Sequence, residues 1–130
     1  MRATCLLLGL SIWLVAGCAS PREKAYQSAA QDYNRTQREV VAFARAKVNL
    51  LIAATKMFGS SVGRWPQTYQ EFGNYVAANN LPFDLLAFND VTFAALNDGS
   101  LQVHYDVNCS GFNTKQYQFT QTGTVNVKPK

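Results

Sequence analysis

The sequence predicts an α+β domain in which a long amino-terminal helix and a short helix pack on one face of a roughly four-stranded antiparallel sheet. Apolar residues recur at helical spacing over residues 25–58, a stretch without proline or glycine. A shorter helical pattern follows. From residue 91 onward apolar and polar residues alternate, which is typical of strands with one wet face. Helices followed by a run of antiparallel strands indicate a two-layer domain.

The long helix is predicted to change character along its length. Over residues 25–39 it is mostly polar, with Tyr26 and Tyr33 as a thin aromatic edge. After Val40 two apolar rows run along it, which predicts a broadly buried second half. The second row consists of Phe43, Ala46, Leu50, Ala53 and Met57. We expect the first turns to form a stalk, through whose tyrosines a partner helix or a second copy of the chain could pack as a homo-oligomer.

Turn and cap residues delimit both helices. The stretch GSSVG at residues 59–63 is expected to end the first helix, because glycine favours the helix carboxyl terminus. Thr68 followed by Glu71 is a capping-box pattern, which predicts the start of the second helix. That helix should end near residues 79–80, since Pro82 blocks its continuation.

Four strands are expected after the second helix. The first two lie at about residues 91–96 and 101–107, joined by NDGS, in which Asp-Gly predicts a tight hairpin. A third strand is expected around residues 117–119. A fourth is expected around residues 125–127, after a turn at Gly123.

The amino terminus has the layout of a secretory signal. Arg2 precedes an apolar run from Cys5 to Val15, and small residues follow. The run is shorter than the ~20 residues that a permanent membrane-spanning helix needs. We therefore expect residues 1–17 to be removed, residues 18–24 to form a tether and residues 25–130 to form a single domain.

The end of this leader resembles the lipobox of bacterial lipoproteins, with Val15, Ala16, Gly17 and Cys18 in the corresponding order. The resemblance implies cleavage before Cys18, lipid on its sulfur and acylation of the new amino terminus. The expected attachment is this covalent lipid, with no other cofactor. Because Ala19 is not acidic, the resemblance favours the outer membrane, facing the periplasm, over the inner membrane.

Charge is distributed unevenly along the chain. Residues 22–64 contain eight Lys or Arg against three acidic residues, whereas residues 65–130 contain three against five. A basic segment near the anchor can be attracted to anionic lipid, and the alternative is a solvated helix face. Nucleic-acid binding is not expected, because no exposed aromatics interleave with the basic residues. The candidate membrane-proximal basic residues are Arg35, Arg38, Arg45 and Lys56.

No catalytic or metal-binding pattern emerges from the sequence. His104 is the single histidine, and it could pair with Asp106 two residues along a strand as a base for Ser100 or Ser110, or with Cys109 as a nucleophilic pair. No HxH, HExxH or CxxC pattern accompanies it. We therefore expect His104 to be an exposed residue of the sheet with no catalytic or metal-binding role. Cys109 has no disulfide partner in the mature chain. It is interpreted as a buried small hydrophobe or, alternatively, an intermolecular thiol.

The order of elements also resembles the globular part of type IV pilins and pseudopilins. The resemblance runs from about residue 40 to residue 127, through a long helix, GRWP, a short helix and an antiparallel meander with NDGSL at a hairpin. It implies that Trp65 and Pro66 form a structural corner where the chain leaves the long helix. Pilins carry a prepilin leader, whereas this leader resembles a lipoprotein signal. The resemblance therefore implies a shape and no activity.

Together these patterns predict a lipid-anchored, non-catalytic envelope protein that binds another protein, as an accessory of a secretion or pilus-type assembly. The alternative is an anchored inhibitor or immunity protein against a toxin or hydrolase, with residues 108–113 as the inserting loop. The candidate partner-binding residues are Tyr26, Tyr33, Trp65 and Tyr69.

Overall fold

The computed structural model describes residues 20–129, which form an α+β structure with a three-stranded antiparallel sheet. Its helices are α1 (Pro21–Val62) and α2 (Tyr69–Ala78). Its strands are β1 (Phe88–Ala95), β2 (Leu101–Val107) and β3 (Gln121–Val127), and short 3₁₀ turns cover Leu85–Ala87 and Ser110–Phe112. The expected signal segment, the lipobox and Cys18 lie outside the described residues.

The chain divides into two compact units whose boundary in the sequence falls between Thr36 and Gln37. In the described part of the first unit, α1 begins at Pro21, where the Ser20 hydroxyl accepts a hydrogen bond from the Glu23 amide at 3.1 Å. A serine cap followed by proline at the first helical position is a favoured helix start. The helix therefore begins before residue 25, and the last residues of the expected tether are helical.

The second unit is held together by one hydrophobic cluster to which α1, α2 and the sheet all contribute. Phe72 of α2 is fully buried at its centre. Its ring centroid lies 5.3 Å from that of Phe83 and 5.8 Å from that of Phe93 in β1. Contacts of this kind hold α2 against the sheet. The residues that α1 buries are Val40, Ala44, Val48, Leu51, Ala54, Thr55 and Phe58.

The predicted boundaries between the helices are largely confirmed. Helix α1 ends at Val62, and Gly63 follows with a φ of +87°, a left-handed conformation that glycine adopts without strain. The Thr68 hydroxyl accepts a hydrogen bond from the Glu71 amide at 3.0 Å, as the capping-box pattern predicts. Helix α2 then ends at Ala78, close to the predicted position.

The sheet has the order β1-β2-β3, and each neighbouring pair is antiparallel. The predicted hairpin is present, because Ala95 pairs with Leu101 on either side of the NDGS turn. Residues that alternate with the core positions form a polar outer face, on which Thr92, His104 and Thr124 are opposite one another.

The predicted third strand, around residues 117–119, is wrong, because residues 113–120 form an irregular segment between β2 and β3. The predicted fourth strand is part of β3, so the sheet has three strands instead of four. Phe119 is buried and Tyr117 half-buried, so their alternation reflects burial without a strand. Side chains bind the backbone donors here: the Phe119 amide donates to Asn113 Oδ1 at 2.7 Å and the Tyr117 amide to Thr114 Oγ1 at 3.0 Å. Local side-chain hydrogen bonds of this kind compete with sheet pairing.

Gly123 lies inside β3, opposite Tyr105 of β2, and does not form the predicted turn. A Cβ atom at Gly123 would come within 2.5 Å of the Tyr105 hydroxyl oxygen. A side chain at this position would therefore displace the Tyr105 ring, which favours glycine here.

The second apolar row of α1 is mostly exposed, contrary to the predicted broad burial. Leu50 and Met57 are 46% and 48% exposed, and Phe43 is half-buried against Phe112. The narrower sheet covers one face of the helix and leaves the neighbouring face in solvent. The exposed members of the row are Ala46, Leu50, Ala53 and Met57.

Candidate functional site

An open groove of about 1070 Å³ lies within the second unit. Its walls come from the last turns of α1, the connection at residues 63–67 and the hairpin end of the sheet. The groove combines apolar and basic side chains, a composition typical of sites that recognise peptides or other amphipathic ligands. We refer to it as the corner groove. Its apolar side chains include Met57, Trp65, Pro66 and Phe93, and its basic side chains are Lys56, Arg64 and Lys128.

Trp65 is the best-anchored side chain of the corner groove. Its Nε1–H donates to the carbonyl oxygen of Gly99 at 2.9 Å, which links the exit of α1 to the hairpin. A Cβ atom at Gly59 would lie only 2.7 Å from the Trp65 ring, so the indole packs directly on the helix backbone. The buried Pro66 follows in the chain. The indole is therefore a fixed wall of the groove.

The sheet contributes part of its inner face to the corner groove. Along β1, Val91, Phe93 and Ala95 alternate onto the side that faces the core. Val91 is buried, Phe93 is half-buried and Ala95 is exposed. The inner face is thus covered at one end of β1 and uncovered at the hairpin end, where the groove lies. Apolar surface on a core-facing position is normally covered by another element.

All the ionisable side chains that line the corner groove are basic. Arg64 is paired: its Nη1 donates to Glu71 Oε1 at 3.2 Å and to the Trp65 carbonyl oxygen at 3.1 Å, and its Nη2 contacts Glu71 Oε2. Within residues 20–129, neither Lys56 nor Lys128 forms an ion pair. The groove therefore has a basic lining in which neither lysine is held in a salt bridge.

The Arg64–Glu71 pair also affects protonation. Hydrogen bonds from Arg64, and then from the Gln67 amide at 2.9 Å, lower the pKa of Glu71 from 4.5 to about 2. The same pair raises the pKa of Arg64. Glu71 therefore stays ionised below the ordinary pKa of a glutamate, and Arg64 stays protonated. The bidentate contact fixes the connection between α1 and α2.

Asp98 is the carboxylate that approaches Lys128 from the hairpin. Its Oδ1 accepts hydrogen bonds from the Ser100 amide at 2.9 Å and the Ser100 hydroxyl at 2.5 Å. These bonds, and to a smaller extent the charge of Lys128, lower the pKa of Asp98. The Asp98 carboxylate is bound to Ser100 within the turn and does not line the groove. It therefore reduces the positive potential near Lys128 but does not neutralise it.

Of the predicted partner-binding residues, only Trp65 lines the corner groove. Tyr69 begins α2, stacks on Phe72 with ring centroids 5.9 Å apart, and donates its hydroxyl to the Leu85 carbonyl oxygen at 2.8 Å. Burial, and then the charge of Asp84, raise its pKa to about 12. Tyr69 is therefore a structural contact of α2.

The stalk tyrosines belong to the first unit, in which Tyr26 is 78% exposed and Tyr33 is also exposed. The predicted basic residues are dispersed in the structure. Arg35 pairs with Asp32 at 3.1 Å, an exposed contact that contributes little to stability. Arg38 and Arg45 are exposed on α1, and Lys56 joins the corner groove.

The side chains considered for catalysis are held in other contacts. His104 Nδ1 lies 2.9 Å from Thr124 Oγ1, and its Nε2 lies 3.1 Å from Gln102 Oε1. Ser100 is buried and bonded to Asp98. Cys109 is buried and free, and burial, then the charge of Asp106, raise the pKa of its thiol. The interpretation of Cys109 as a buried hydrophobe is confirmed.

The loop at residues 108–113 is packed onto the domain. The Asn108 amide donates to the Ala87 carbonyl oxygen at 2.8 Å, and its side chain donates to the Leu86 carbonyl oxygen at 3.2 Å. Phe112 makes an edge contact with Phe43 of α1, with ring centroids 5.2 Å apart. Ser110 and Gly111 are the exposed residues at the tip.

Over residues 20–129 no helix combines the length and hydropathy needed to cross a membrane, and no cluster of three or more His, Cys, Asp or Glu side chains is arranged to hold a metal ion. A scan against models of known protein families, a search of curated proteins and a search of solved structures each found no match.

Sequence reasoning missed Arg64 and Lys128 as members of a common site. Arg64 stands next to Trp65, so the GRWP stretch already contained a basic residue beside the predicted corner. Lys128 follows the last strand, and only the pairing of Val127 with Leu101 places it next to the hairpin. No local pattern in the sequence connects these two positions.

Proposed function

We propose that this chain is a lipid-anchored lipoprotein of a bacterial cell envelope whose pilin-like domain binds another protein and performs no catalysis. Its covalent lipid is carried by Cys18, and its place is the outer membrane, facing the periplasm. The resemblance to pilins and pseudopilins favours a secretion or pilus-type assembly as the setting. A lipid anchor confines the domain to one surface and raises its effective concentration for a partner on that surface.

The observation that carries the binding role is the corner groove. Trp65 is fixed there by its hydrogen bond to Gly99, and the core-facing positions Phe93 and Ala95 are left partly or fully uncovered beside it. Aromatic side chains held rigidly at the edge of a groove are typical anchors of protein interfaces. The pilin-like shape is supported by the long helix, the GRWP exit and the meander that follows α2.

The anchoring half of the proposal is tested by membrane fractionation of cells that express the native chain or Cys18→Ala. The native chain should sediment with membranes and carry a diacylglyceryl mass on its amino-terminal peptide. The Cys18→Ala chain should lack that mass and lose its stable attachment, because a lipid-free domain has no acyl chains to bury. A native Cys18 with an unmodified thiol would overturn the anchoring proposal.

The binding half is tested by a photo-crosslinking amino acid placed in the intact, membrane-bound protein. Gln67 is exposed and lines the corner groove, whereas Thr92 is exposed on the outer face of the sheet. A crosslinker in place of Gln67 should yield a discrete adduct with one envelope protein, and a crosslinker in place of Thr92 should not. A third crosslinker is placed at Tyr26, in the predicted stalk. The binding role is wrong if no specific adduct forms from Gln67, Thr92 or Tyr26.

A further inference from the structure

We propose that the corner groove binds an extended segment of the partner protein in which acidic side chains flank a large apolar one. This inference rests on the proposed function, because it assumes a protein partner, and it adds the chemistry by which that partner is recognised. The occupant is a peptide segment because the groove offers apolar surface bordered by basic side chains from two elements.

The apolar side chains of the groove leave hydrophobic surface exposed to solvent. Met57 is 48% exposed, Phe93 is half-buried and Ala95 is exposed although it occupies a core-facing position. Covering this surface is favourable at about 25 cal/mol for each Å² of apolar area removed from water. Trp65 adds a rigid face that is already ordered by Gly99 and Gly59, so binding there costs little conformational entropy.

The basic side chains of the groove select the sign of the occupant. Lys56 lies one residue from Met57 in α1, and Lys128 follows β3, so the two ammonium groups belong to different walls of the groove. Neither has an ion-pair partner among the described residues, whereas Arg64 is held by Glu71. Carboxylates on either side of an apolar side chain would complement this arrangement. A basic or neutral segment would leave both lysines without a salt-bridge partner.

A membrane surface fits the same groove less well. Anionic lipid attracts basic residues that project from an exposed face. Here the lysines line a concavity together with Trp65, Phe93 and Ala95. A chain segment can enter such a concavity, whereas a bilayer surface cannot follow its shape. Vesicle binding is therefore an alternative outcome of the test.

The probe is a library of random peptides displayed on phage and selected against the protein without its leader, residues 18–130, in mild detergent. Selected peptides are then synthesised and titrated against the same protein. Of the two tryptophans in the sequence, Trp13 belongs to the leader, so the fluorescence of Trp65 reports on the groove. We expect the selected peptides to share acidic residues around an aromatic or aliphatic residue, to change the Trp65 emission and to bind more weakly at high salt.

Matched variants separate the groove from general electrostatics. The double variant Lys56→Glu/Lys128→Glu should weaken binding about tenfold or more, because two attractions become repulsions. Arg45→Glu/Lys115→Glu changes the net charge equally at exposed positions outside the groove, and it should bind like the parent. Circular dichroism of both variants checks that the fold is retained.

The apolar side chains of the groove have their own matched pair on the same helix. Met57→Gln changes an exposed apolar residue inside the groove, and Leu50→Gln changes one of similar exposure outside it. Met57→Gln should weaken binding several-fold, and Leu50→Gln should leave it unchanged. Equal effects of the two changes would show that the peptide does not lie in the groove.

The outcomes are decisive in both directions. Enrichment of basic peptides, no enrichment, or peptides indifferent to both groove variants would overturn the inference. So would binding of anionic phospholipid vesicles that depends on Lys56 and Lys128 in the absence of any peptide. A specific adduct from the Tyr26 crosslinker together with a failed peptide selection would retain the proposed function and reject only this groove as the binding site.

Discussion

Gly59 shows how a single absent side chain shapes the corner groove. It lies inside α1, where alanine would ordinarily favour the helix by about 1 kcal/mol. The Trp65 ring occupies the space that a Cβ atom would need, since the separation would be 2.7 Å. The ring is also held by Gly99, so it cannot move without losing a hydrogen bond.

We therefore predict that Gly59→Ala destabilises the protein by about 1–3 kcal/mol, the usual cost of overpacking, in spite of its better helix propensity. Urea unfolding of the protein without its leader measures the change, and the emission of Trp65, its one tryptophan, should shift toward that of an exposed indole. A matched change at exposed Ser60, Ser60→Ala, should be nearly neutral. Stabilisation by Gly59→Ala would mean that the indole does not pack on the helix.

Tyr69 provides a test of the structural role assigned to it. Its raised pKa, about 12, favours the neutral phenol in the folded state. The stability that this provides is present below the ordinary pKa of 10.0 and is lost as the pH rises through 12. Tyr69→Phe should cost about 1 kcal/mol near neutral pH, because the Leu85 carbonyl oxygen loses its donor.

The difference in stability between the parent and Tyr69→Phe should then shrink as the pH rises from 10 toward 12, because only the parent has the shifted phenol. Equilibrium unfolding at several pH values follows the difference. A constant difference across this range would contradict the burial of the hydroxyl.

At the scale of elements, the connection between α1 and α2 depends on one ion pair. Glu71 lies in the first turn of α2 and accepts from Arg64, which follows the end of α1, and from the Gln67 amide. One carboxylate thus joins the two ends of the connection. Because the pKa of Glu71 is lowered to about 2, its contribution to stability is present above pH 4.5 and is lost as the pH falls toward 2.

Glu71→Gln should therefore be less stable than the parent at neutral pH, and the two should converge as the pH falls from 4.5 to 2. The urea midpoint at each pH is the measurement. Asp98 also has a lowered pKa and is present in both proteins, so the comparison isolates Glu71. Parallel acid profiles of the two proteins would contradict the pairing with Arg64.

The sheet shows where element prediction succeeded and where it failed. The alternation after residue 100 and the Asp-Gly turn identified β2 and the hairpin, since both are local signals. The alternation of Tyr117 and Phe119 predicted a strand that does not exist. Asn113 and Thr114 accept the backbone donors that a strand would need, and the rings enter the core from an irregular segment. The alternation of apolar residues indicates which side chains are buried. Whether the segment is a strand depends on the partners of its backbone amide groups.

At the scale of the whole molecule, the core uses one face of α1 and leaves the next face in solvent. Leu50 and Leu51 are neighbours in sequence, yet Leu50 is 46% exposed and Leu51 is fully buried. The sequence treats them alike, because both belong to apolar rows of the same helix. Tertiary packing of α1 decides which row is covered.

This arrangement predicts that the same leucine-to-alanine substitution has very different effects on the free energy of unfolding at the two positions. Leu51→Ala should destabilise the protein by about 2–5 kcal/mol, since it removes buried contacts and leaves a cavity. Leu50→Ala should change stability by no more than about 0.5 kcal/mol. Urea unfolding of the two variants under one condition gives the comparison. A similar loss in both would indicate that the second row is covered in solution by another part of the chain or by a second copy.

The sequence by itself determined the α+β class, the order of the elements, the cap at Thr68 and the hairpin, because each depends on residues close together in the chain. Its leader pattern alone supports the anchoring proposal. The tertiary structure decided the number of strands, the buried row of α1 and the meeting of Lys56, Arg64 and Lys128 around Trp65. Those features depend on contacts between residues far apart in the chain, which no local pattern encodes.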